Sequence, residues 1–242
     1  LRSRGYDGDV IRRFGLGWAP EGWDVMVKSV HHSARELIRA GLAFANRSGR
    51  TTDFFRGRLL FPIANPAGDV VSFGGRVLPG QDGPKYKNTS QTPLYDKSNT
   101  LYGLHLAKAK MATTGVGVLC EGYTDVIAFH LAGVETAVAT CGTAATKDHI
   151  KLLQRMGVKK LVLAYDADVA GQAANDRFYE WERIGELSLH VLSLPAGSDP
   201  ADVGRTDPAA LVQAVDDAKP FLQYQLDRLW AGSDLRTHEA KA

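Results

Sequence analysis

Residues 116–125 read VGVLCEGYTD, a five-residue apolar run that ends directly in Glu121. Two later stretches repeat this pattern, with Asp166 and Asp168 after LVLAY and Asp199 after VLSLPAGS. A short, continuous run rich in Val and Leu is typical of a strand that is buried on both faces of a parallel sheet. The sequence therefore predicts an α/β fold whose strands lead into acidic residues.

These acidic residues predict a metal site. In an open α/β sheet, ligands bind beyond the carboxyl ends of the strands, where Glu121, Asp166, Asp168 and Asp199 would meet. Asp166 and Asp168 are two positions apart, so both carboxylates would point to one side of an extended chain. Carboxylates that lie close together repel each other unless a cation sits among them, and hard oxygen ligands suit Mg²⁺ or Mn²⁺. We expect a divalent-metal site for phosphoryl transfer.

Most of the acidic residues also have a simpler interpretation. Asp125 follows Gly122 at the start of a predicted helix and can be a helix cap, as can one residue of the Asp166–Asp168 pair. The sequence Ser198-Asp199-Pro200 is typical of a turn, so Asp199 can simply belong to one. Glu121 is harder to explain in this way, because a structural role directly after a buried strand would require a paired cation.

The predicted elements fall into three parts. Short helices with turns come first, with Gly41 as a stop signal. Residues 57–78 then predict a hairpin that turns at 65–68, in which Gly74 and Gly75 mark a bulge or a close backbone approach. A polar loop follows over 79–100, and LYGLHLAKAKMA is a connecting helix. From Gly115, strands VGVLC, TAVAT, KLVLAY and LSLHVLSL alternate with helices over 124–132, 146–156 and 170–184, which predicts a parallel sheet. The last part, 208–229, forms one or two helices broken near Pro220.

The charge distribution indicates a polyanionic partner. Residues 1–110 hold 17 Lys and Arg against 9 Asp and Glu, a net charge of +8, whereas residues 111–242 carry −6. Basic residues interleave with Phe54, Phe55, Phe73, Tyr86 and Tyr95, a pattern that suits nucleotides or single-stranded nucleic acid. Ordinary solvated strand faces are the alternative.

Other features restrict the class of protein. Cys120 and Cys141 lie in or just after apolar runs, which favours two buried thiols over a disulfide, and no Cys or His spacing indicates zinc. No apolar run approaches the roughly 20 residues that cross a bilayer, so we expect no membrane span. The start has neither an initiator Met nor a signal-peptide core, and we expect a fragment of a longer protein.

Several motifs together resemble a known family. EGYTDVIAFHLAG followed by YDADVAGQAA resembles the toprim signature. FRGRLLFPIANPAGDVVSFGGRVL and GPKYKNTSQTPLYDKSNTLYGLHLAKA resemble the catalytic core of bacterial DnaG-type DNA primase, and LGWAPEGWD fits the same family. The resemblance covers roughly residues 5–220. It implies an N-terminal α+β basic subdomain over 1–112, a toprim catalytic subdomain with a parallel sheet flanked by helices over 113–204, and a small helical C-terminal subdomain over 205–242.

The resemblance also implies an activity and its residues. The activity would be DNA-templated synthesis of short RNA primers by two-metal nucleotidyl transfer, with two or more Mg²⁺ or Mn²⁺ ions. Glu121, Asp166 and Asp168 would be catalytic and, with Asp199, hold the metal, while Asp125 and Asp202 are possible additions. Nucleotides and nucleic acid would be bound by the family's basic ridge, to which Arg76, Lys85, Tyr86, Asn88 and Lys97 correspond. Arg13 and, from the basic half of the chain, Arg58 are further binding candidates. The family often has Asp-Pro-Asp where this chain reads Asp199-Pro200-Ala201, which leaves the role of Asp202 open.

Partners follow from the same resemblance. They would be a single-stranded DNA template, ribonucleoside triphosphates and the RNA primer–DNA duplex, with replicative helicase and single-strand-binding protein contacted through modules outside this chain. A cytoplasmic protein at the replication fork is expected, with no membrane contact and a monomeric fragment. Two other classes share the acidic motif: a toprim nuclease, and a non-catalytic toprim DNA-binding module such as a recombination mediator. A topoisomerase would need a nucleophilic tyrosine on a second domain.

Overall fold

The structure, a computed structural model, describes residues 5–165, 180–182, 187–195 and 197–232. Its strands form a four-stranded antiparallel sheet, a six-stranded mixed sheet and a two-stranded ribbon. The mixed sheet is flanked by helices, so the expected α/β class is confirmed. Within these ranges, no helix has the length and apolar character needed to cross a membrane.

Three short helices open the chain, as the sequence predicts. They are α1 (Gly8–Phe14), α2 (Val25–Ser29) and α3 (Ala34–Arg39). The carboxylate of Asp7 accepts hydrogen bonds from the backbone N–H groups of Asp9 and Val10, in the first turn of α1. Ser33 and Glu36 form a reciprocal capping box at the start of α3, which satisfies backbone donors that the helix leaves unpaired. Gly41 follows α3 with a φ of 73°, a left-handed conformation that ends the helix.

The antiparallel sheet contains the predicted hairpin and, on either side of it, a strand that was not predicted. Its order is β1–β4–β5–β6, and β2 pairs separately with β3. These strands are β1 (Gly17–Ala19), β2 (Ala43–Ala45), β3 (Thr51–Asp53), β4 (Arg58–Ala64), β5 (Val70–Val77) and β6 (Tyr86–Asn88). The polar loop predicted over 79–100 is interrupted by β6, which pairs with β5.

The centre of the mixed sheet follows the predicted alternation of strands and helices, but its two edge strands were not predicted. Residues 101–102 form one of these strands, so the prediction that they begin the connecting helix was wrong. The order of the sheet is β12–β11–β10–β8–β9–β7, with parallel pairing from β11 through β9 and an antiparallel strand at each edge. The strands are β7 (Leu101–Tyr102), β8 (Val116–Cys120), β9 (Ala137–Thr140), β10 (Lys160–Ala164), β11 (Ser188–Val191) and β12 (Lys219–Pro220). Predicted strand β11 is shorter than the apolar run LSLHVLSL that indicates it.

Burial on both faces explains the unbroken apolar runs. Val118 and Cys120 of β8 face one core cluster, and Leu119 faces the other. Helix α5 packs on the first side, and α4 and α6 on the second. The helices of this half are α4 (Leu104–Thr114), α5 (Tyr123–Leu131), α6 (Lys147–Arg155), α7 (Pro200–Thr206), α8 (Pro208–Asp216) and α9 (Phe221–Gly232). Cys120 and Cys141 are free and buried, as expected.

The remaining helix predictions differ in outcome. Most of the helix predicted over 170–184 lies outside them, although 180–182 are helical. The break predicted near Pro220 is present, since β12 separates α8 from α9. Helix α7 was not predicted, because Ser198-Asp199-Pro200 reads equally well as a turn.

Candidate functional site

A cleft of about 460 Å³ lies where the two larger sheets meet. Its walls come from β5 and β6 of the antiparallel sheet, from the carboxyl end of β8 with the start of α5, and from the start of α7. The residues that line it are Arg76, Lys85, Tyr86, Asn88, Glu121, Gly122, Tyr123, Thr124, Asp125, Thr140, Gly142, Asp199 and Asp202. Eight of these are site residues predicted from the sequence, so the fold brings basic and acidic candidates to one place.

The first acidic wall is the link between β8 and α5. Glu121 is exposed and directly follows the buried strand residue Cys120. Asp125, in the first turn of α5, accepts a hydrogen bond on Oδ2 from the backbone N–H of Gly122 over 3.0 Å. Asp125 is therefore a helix cap, as its simpler interpretation proposed, and it also lines the cleft. The two roles are compatible because a carboxylate has two oxygens.

The second acidic wall is the start of α7. Asp199 is the N-cap of this helix, and its Oδ1 accepts a hydrogen bond from the backbone N–H of Asp202 over 2.7 Å. Asp199 lies eight positions after Val191, the end of β11, so it reaches the cleft from a helix rather than directly from a strand end. Asp202 is exposed and forms an ion pair of 3.4 Å with Arg205 on the same helix.

The basic wall consists of β5, β6 and the residue before β6. Arg76 and Tyr86 are opposite each other in the β5–β6 pair. The guanidinium of Arg76 lies 5.4 Å from the centre of the Tyr86 ring and donates a hydrogen bond of 3.3 Å to its hydroxyl. Lys85 is exposed beside them. The wall thus presents two cations and an aromatic face toward the carboxylates.

Alternation along β6 directs Lys87 to the opposite face of the strand from Tyr86 and Asn88. Its ammonium donates a hydrogen bond to the carbonyl of Phe54 over 2.8 Å and lies 3.7 Å from the centre of that ring. Burial lowers the pKa of Lys87 from its ordinary value, with the charges of Arg56 and Arg58 adding to the effect. Lys87 does not line the cleft.

Three other predicted basic residues lie outside the cleft. Arg58 is buried, and its guanidinium donates to the carbonyls of Gly75 and Pro84, over 3.2 and 2.9 Å. This contact fixes the chain just before Lys85. Lys97 lies in a 3₁₀ turn (Lys97–Asn99). Arg13, on α1, forms an ion pair of 2.7 Å with Glu135.

Asp166 and Asp168, the two central predictions, lie outside the described residues. The strand that leads to them lies beside the strand that leads to Glu121, because Ala164 of β10 is directly opposite Cys120 of β8 in a parallel pair. Among the residues that the structure describes, no group of three or more His, Cys, Asp or Glu could hold a metal ion. The carboxylates lining the cleft nevertheless fit a hard divalent cation in kind, because every one is an oxygen donor.

Sequence reasoning missed the part that Tyr123, Thr140 and Gly142 play in the cleft. Tyr123 belongs to the EGYTD motif, but an aromatic residue at the start of a helix gives no signal of a distant contact. Gly142 has a φ of 75° and follows the apolar run of β9. A glycine at the end of a buried strand was the available signal, since it often marks a close approach of two parts of the chain.

Comparisons with known proteins show which family this chain resembles in sequence and in fold. The family model described as DNA primase catalytic core, N-terminal domain, matches residues 1–108, and a Toprim-like model matches residues 118–203. The RNA polymerase domain of Mycobacterium tuberculosis primase DnaG, solved with a double-stranded DNA oligomer that has a 6-nucleotide overhang, is 38% identical. It superposes with a TM-score of 0.89, covering 99% of this chain and 78% of that one. The chain belongs to the DnaG-type DNA primase family.

Two other members extend the comparison. A DnaG primase catalytic domain bound to single-stranded DNA is 36% identical, with a TM-score of 0.84 over 99% of this chain and 79% of that one. A DNA primase of Streptomyces coelicolor is 41% identical over 252 residues, which cover 100% of this chain and 39% of the relative. The chain thus spans about two-fifths of the length of the curated DnaG-type relatives it matches.

Proposed function

We propose that this chain synthesises short RNA primers on a DNA template. The observation that carries the proposal is the shared cleft, in which Arg76 and Lys85 lie on one wall and Glu121, Asp125, Asp199 and Asp202 on the others. Basic side chains suit the phosphates of nucleotides and DNA, and carboxylates suit the metal ions of phosphoryl transfer. The solved relatives that hold DNA support a DNA template as the partner.

The proposed division of labour follows three parts of the chain. Residues 1–112 supply the basic wall and would bind template and ribonucleoside triphosphates. Residues 113–204 supply the acidic strand ends and would hold the metal. Residues 205–242 would be the small helical C-terminal part, to which the described helices α8 and α9 belong. Replicative helicase and single-strand-binding protein would be contacted through modules outside this chain, which would act as a monomer at the replication fork in the cytoplasm.

Glu121, Asp166, Asp168 and Asp199 would hold two or more Mg²⁺ or Mn²⁺ ions, with Asp125 and Asp202 as further candidates. Ions bound there would neutralise charge on the attacking and leaving oxygens. This assignment rests on the donor chemistry of the cleft and on the parallel pairing of β8 with β10, which lead to Glu121 and Asp166 respectively. It also rests on the toprim-like sequence.

The reaction joins the 3′-oxygen of the primer to the α-phosphorus of an incoming ribonucleotide, and pyrophosphate leaves. The hydroxyl proton would pass to the carboxylate of Glu121 or, if Glu121 is a metal ligand, to water. Arg76 and Lys85 would neutralise triphosphate oxygens, while Tyr86 offers a face for base stacking. Two basic residues outside the cleft, Lys97 and Arg13, would bind the template beyond it. Arg58 also lies outside the cleft and would orient Lys85. Positioning and charge neutralisation supply most of the catalysis in such reactions.

The experiment mixes the protein with single-stranded DNA and Mg²⁺ or Mn²⁺, with and without ribonucleotides. We expect RNA primers only when ribonucleotides are present, and no primers from Asp166→Asn or Glu121→Gln variants that unfold like the wild type. Mn²⁺ binding, followed by electron paramagnetic resonance, should weaken in the same variants. DNA cleavage without ribonucleotides would instead indicate a toprim nuclease. DNA binding without either reaction would indicate a non-catalytic binding module.

A further inference from the structure

One hydrogen bond connects the basic wall of the cleft to its acidic wall. The hydroxyl of Tyr123, the first residue of α5, donates to Oδ1 of Asn88 on β6 over 2.9 Å. The Asn88 amide in turn donates through Nδ2 to the carbonyl of Cys141, just after β9, over 3.0 Å. We propose that Tyr123 and Asn88 are positioning residues that hold Glu121 at a fixed distance from the basic strands β5 and β6. The catalytic part of this inference rests on the proposed function.

Two glycines make room for this contact. A Cβ atom at Gly74, the residue opposite Asn88 on β5, would lie 2.3 Å from Cε2 of Tyr123. A Cβ atom at Gly142 would lie 2.2 Å from Nδ2 of Asn88. Contacts that short are sterically forbidden, so a side chain at Gly74 would displace the Tyr123 ring, and one at Gly142 would displace the Asn88 amide. The glycines therefore permit backbone and side chain to approach across the junction of the sheets.

The Tyr123 side chain is held firmly. It is 3% exposed, and its ring centre lies 4.7 Å from that of Tyr102, 5.3 Å from that of Phe61 and 5.9 Å from that of Tyr86. Burial raises the pKa of the Tyr123 hydroxyl well above its ordinary value. The hydroxyl consequently stays protonated at physiological pH and remains a donor to Asn88.

The Tyr123–Asn88 hydrogen bond lies close in the chain to groups on both walls of the cleft. Only Gly122 separates Tyr123 from Glu121, and Asn88 lies two residues from Tyr86, which contacts Arg76. A shift of Tyr123 relative to Asn88 would therefore change the separation between Glu121 and the cations of the basic wall. Misplacement by about 1 Å can cost a large factor in rate even when no reacting group is lost.

This role differs from the direct nucleotide contact that the sequence suggests for Asn88. Both polar atoms of the Asn88 side chain already have protein partners in Tyr123 and Cys141. A residue that orients other groups should affect kcat, whereas one that binds the nucleotide should affect KM. The two roles can therefore be separated by kinetics.

The test uses Tyr123→Phe, which removes one hydroxyl and retains the ring, together with Asn88→Ala and the double variant. We expect each single variant to lower kcat for primer synthesis by about tenfold, with KM for ribonucleotide within about twofold of wild type. Adding Tyr123→Phe to Asn88→Ala should lower kcat no further, because the shared hydrogen bond is already lost. Each single variant should also weaken Mn²⁺ binding severalfold by displacing Glu121.

Tyr102→Phe is the matched control. It removes a buried hydroxyl from a neighbouring ring, and that hydroxyl has no hydrogen-bond partner among the described residues. We expect kcat, KM and Mn²⁺ affinity to stay at wild-type values.

Three results would overturn the inference. They are an unchanged kcat in Tyr123→Phe, fully additive losses of kcat in the double variant, or a rise in KM without a fall in kcat in Asn88→Ala. If the wild type makes no primers, the proposed function fails, and the Mn²⁺ affinities alone decide whether the link positions Glu121. Unchanged affinities in both single variants would then reject it.

Discussion

Gly74 lies directly against the ring of Tyr123, so that a Cβ atom on Gly74 would be 2.3 Å from Cε2 of that ring and 2.8 Å from its hydroxyl oxygen. This relationship joins the antiparallel sheet to the first turn of α5. Tyr123 cannot easily move away, because Phe61, Tyr102 and Tyr86 surround its ring. The packing at this point therefore determines how closely the two walls of the cleft approach.

The Gly74→Ala substitution tests that packing. Because one added methyl group overlaps a buried ring, we expect the free energy of unfolding to fall by about 1–3 kcal/mol. Gly17→Ala is the control, since a Cβ there makes only an ordinary contact of 3.9 Å with Leu60. Urea unfolding of both variants provides the measurement, and equal stability of the two would show that the junction tolerates extra volume.

The strands of the mixed sheet were largely predictable from the sequence, but the junction was not. VGVLC, TAVAT and KLVLAY are buried on both faces, so a local apolar run is enough to reveal each strand. Strand β6 has the polar sequence Tyr86-Lys87-Asn88 and exists because it pairs with β5. No local pattern reveals such a strand.

The candidate site was predictable to a similar extent. The acidic residues follow from strand ends and from the rule that places ligands there. Asp199 was predicted in the cleft but on the wrong element, because α7 supplies it. The Tyr123–Asn88 contact joins residues 35 positions apart and depends on how two sheets pack, so sequence spacing could not indicate it.

Asp199→Asn separates a helix-capping role from a metal-binding role. Asn caps helices about as well as Asp, so we expect the unfolding free energy to change by less than about 0.5 kcal/mol. Primer synthesis should fall by about 100-fold or more, since a charge that the proposed metal site needs is lost. Asp207→Asn is the matched control, because Asp207 caps α8 in the same way and does not line the cleft. Equal activity of the two variants would leave Asp199 as a cap alone.

Lys85→Ala tests the basic wall. Lys85 is exposed in the cleft next to Pro84, whose carbonyl accepts a hydrogen bond from Arg58. Loss of one phosphate contact should reduce the slope of log affinity against log salt concentration by about 0.7 for single-stranded DNA. Lys110→Ala removes the same charge from an exposed position on α4, outside the cleft, and should leave the slope unchanged. Fluorescence titrations at several salt concentrations measure both, and an unchanged slope for Lys85→Ala would show that Lys85 touches no phosphate.

His149, a residue that can titrate, contacts the turn that carries Lys97. Nδ1 of His149 accepts a hydrogen bond from the backbone N–H of Thr146 over 3.1 Å, and Nε2 lies 3.0 Å from the carbonyl of Lys97. A carbonyl can only accept, so the neutral ring protonated on Nε2 satisfies both contacts. Burial lowers the pKa of His149 from its ordinary value of 6.5, against the opposing effect of the hydrogen bond to Lys97.

This arrangement predicts loss of stability in acid. Because the pKa of His149 is lower in the folded protein, the unfolded chain binds more protons as the pH falls below 6.5. The contribution of His149 to the free energy of unfolding is therefore complete above pH 6.5. It declines below that pH, by up to about 1.4 kcal/mol per pH unit for one histidine. His149→Gln should flatten the dependence of unfolding free energy on pH between 6.5 and 5, as measured by urea unfolding. His31→Gln, at an exposed position between α2 and α3, should leave the dependence unchanged, and an identical pH dependence in both variants would assign the acid sensitivity to other buried groups.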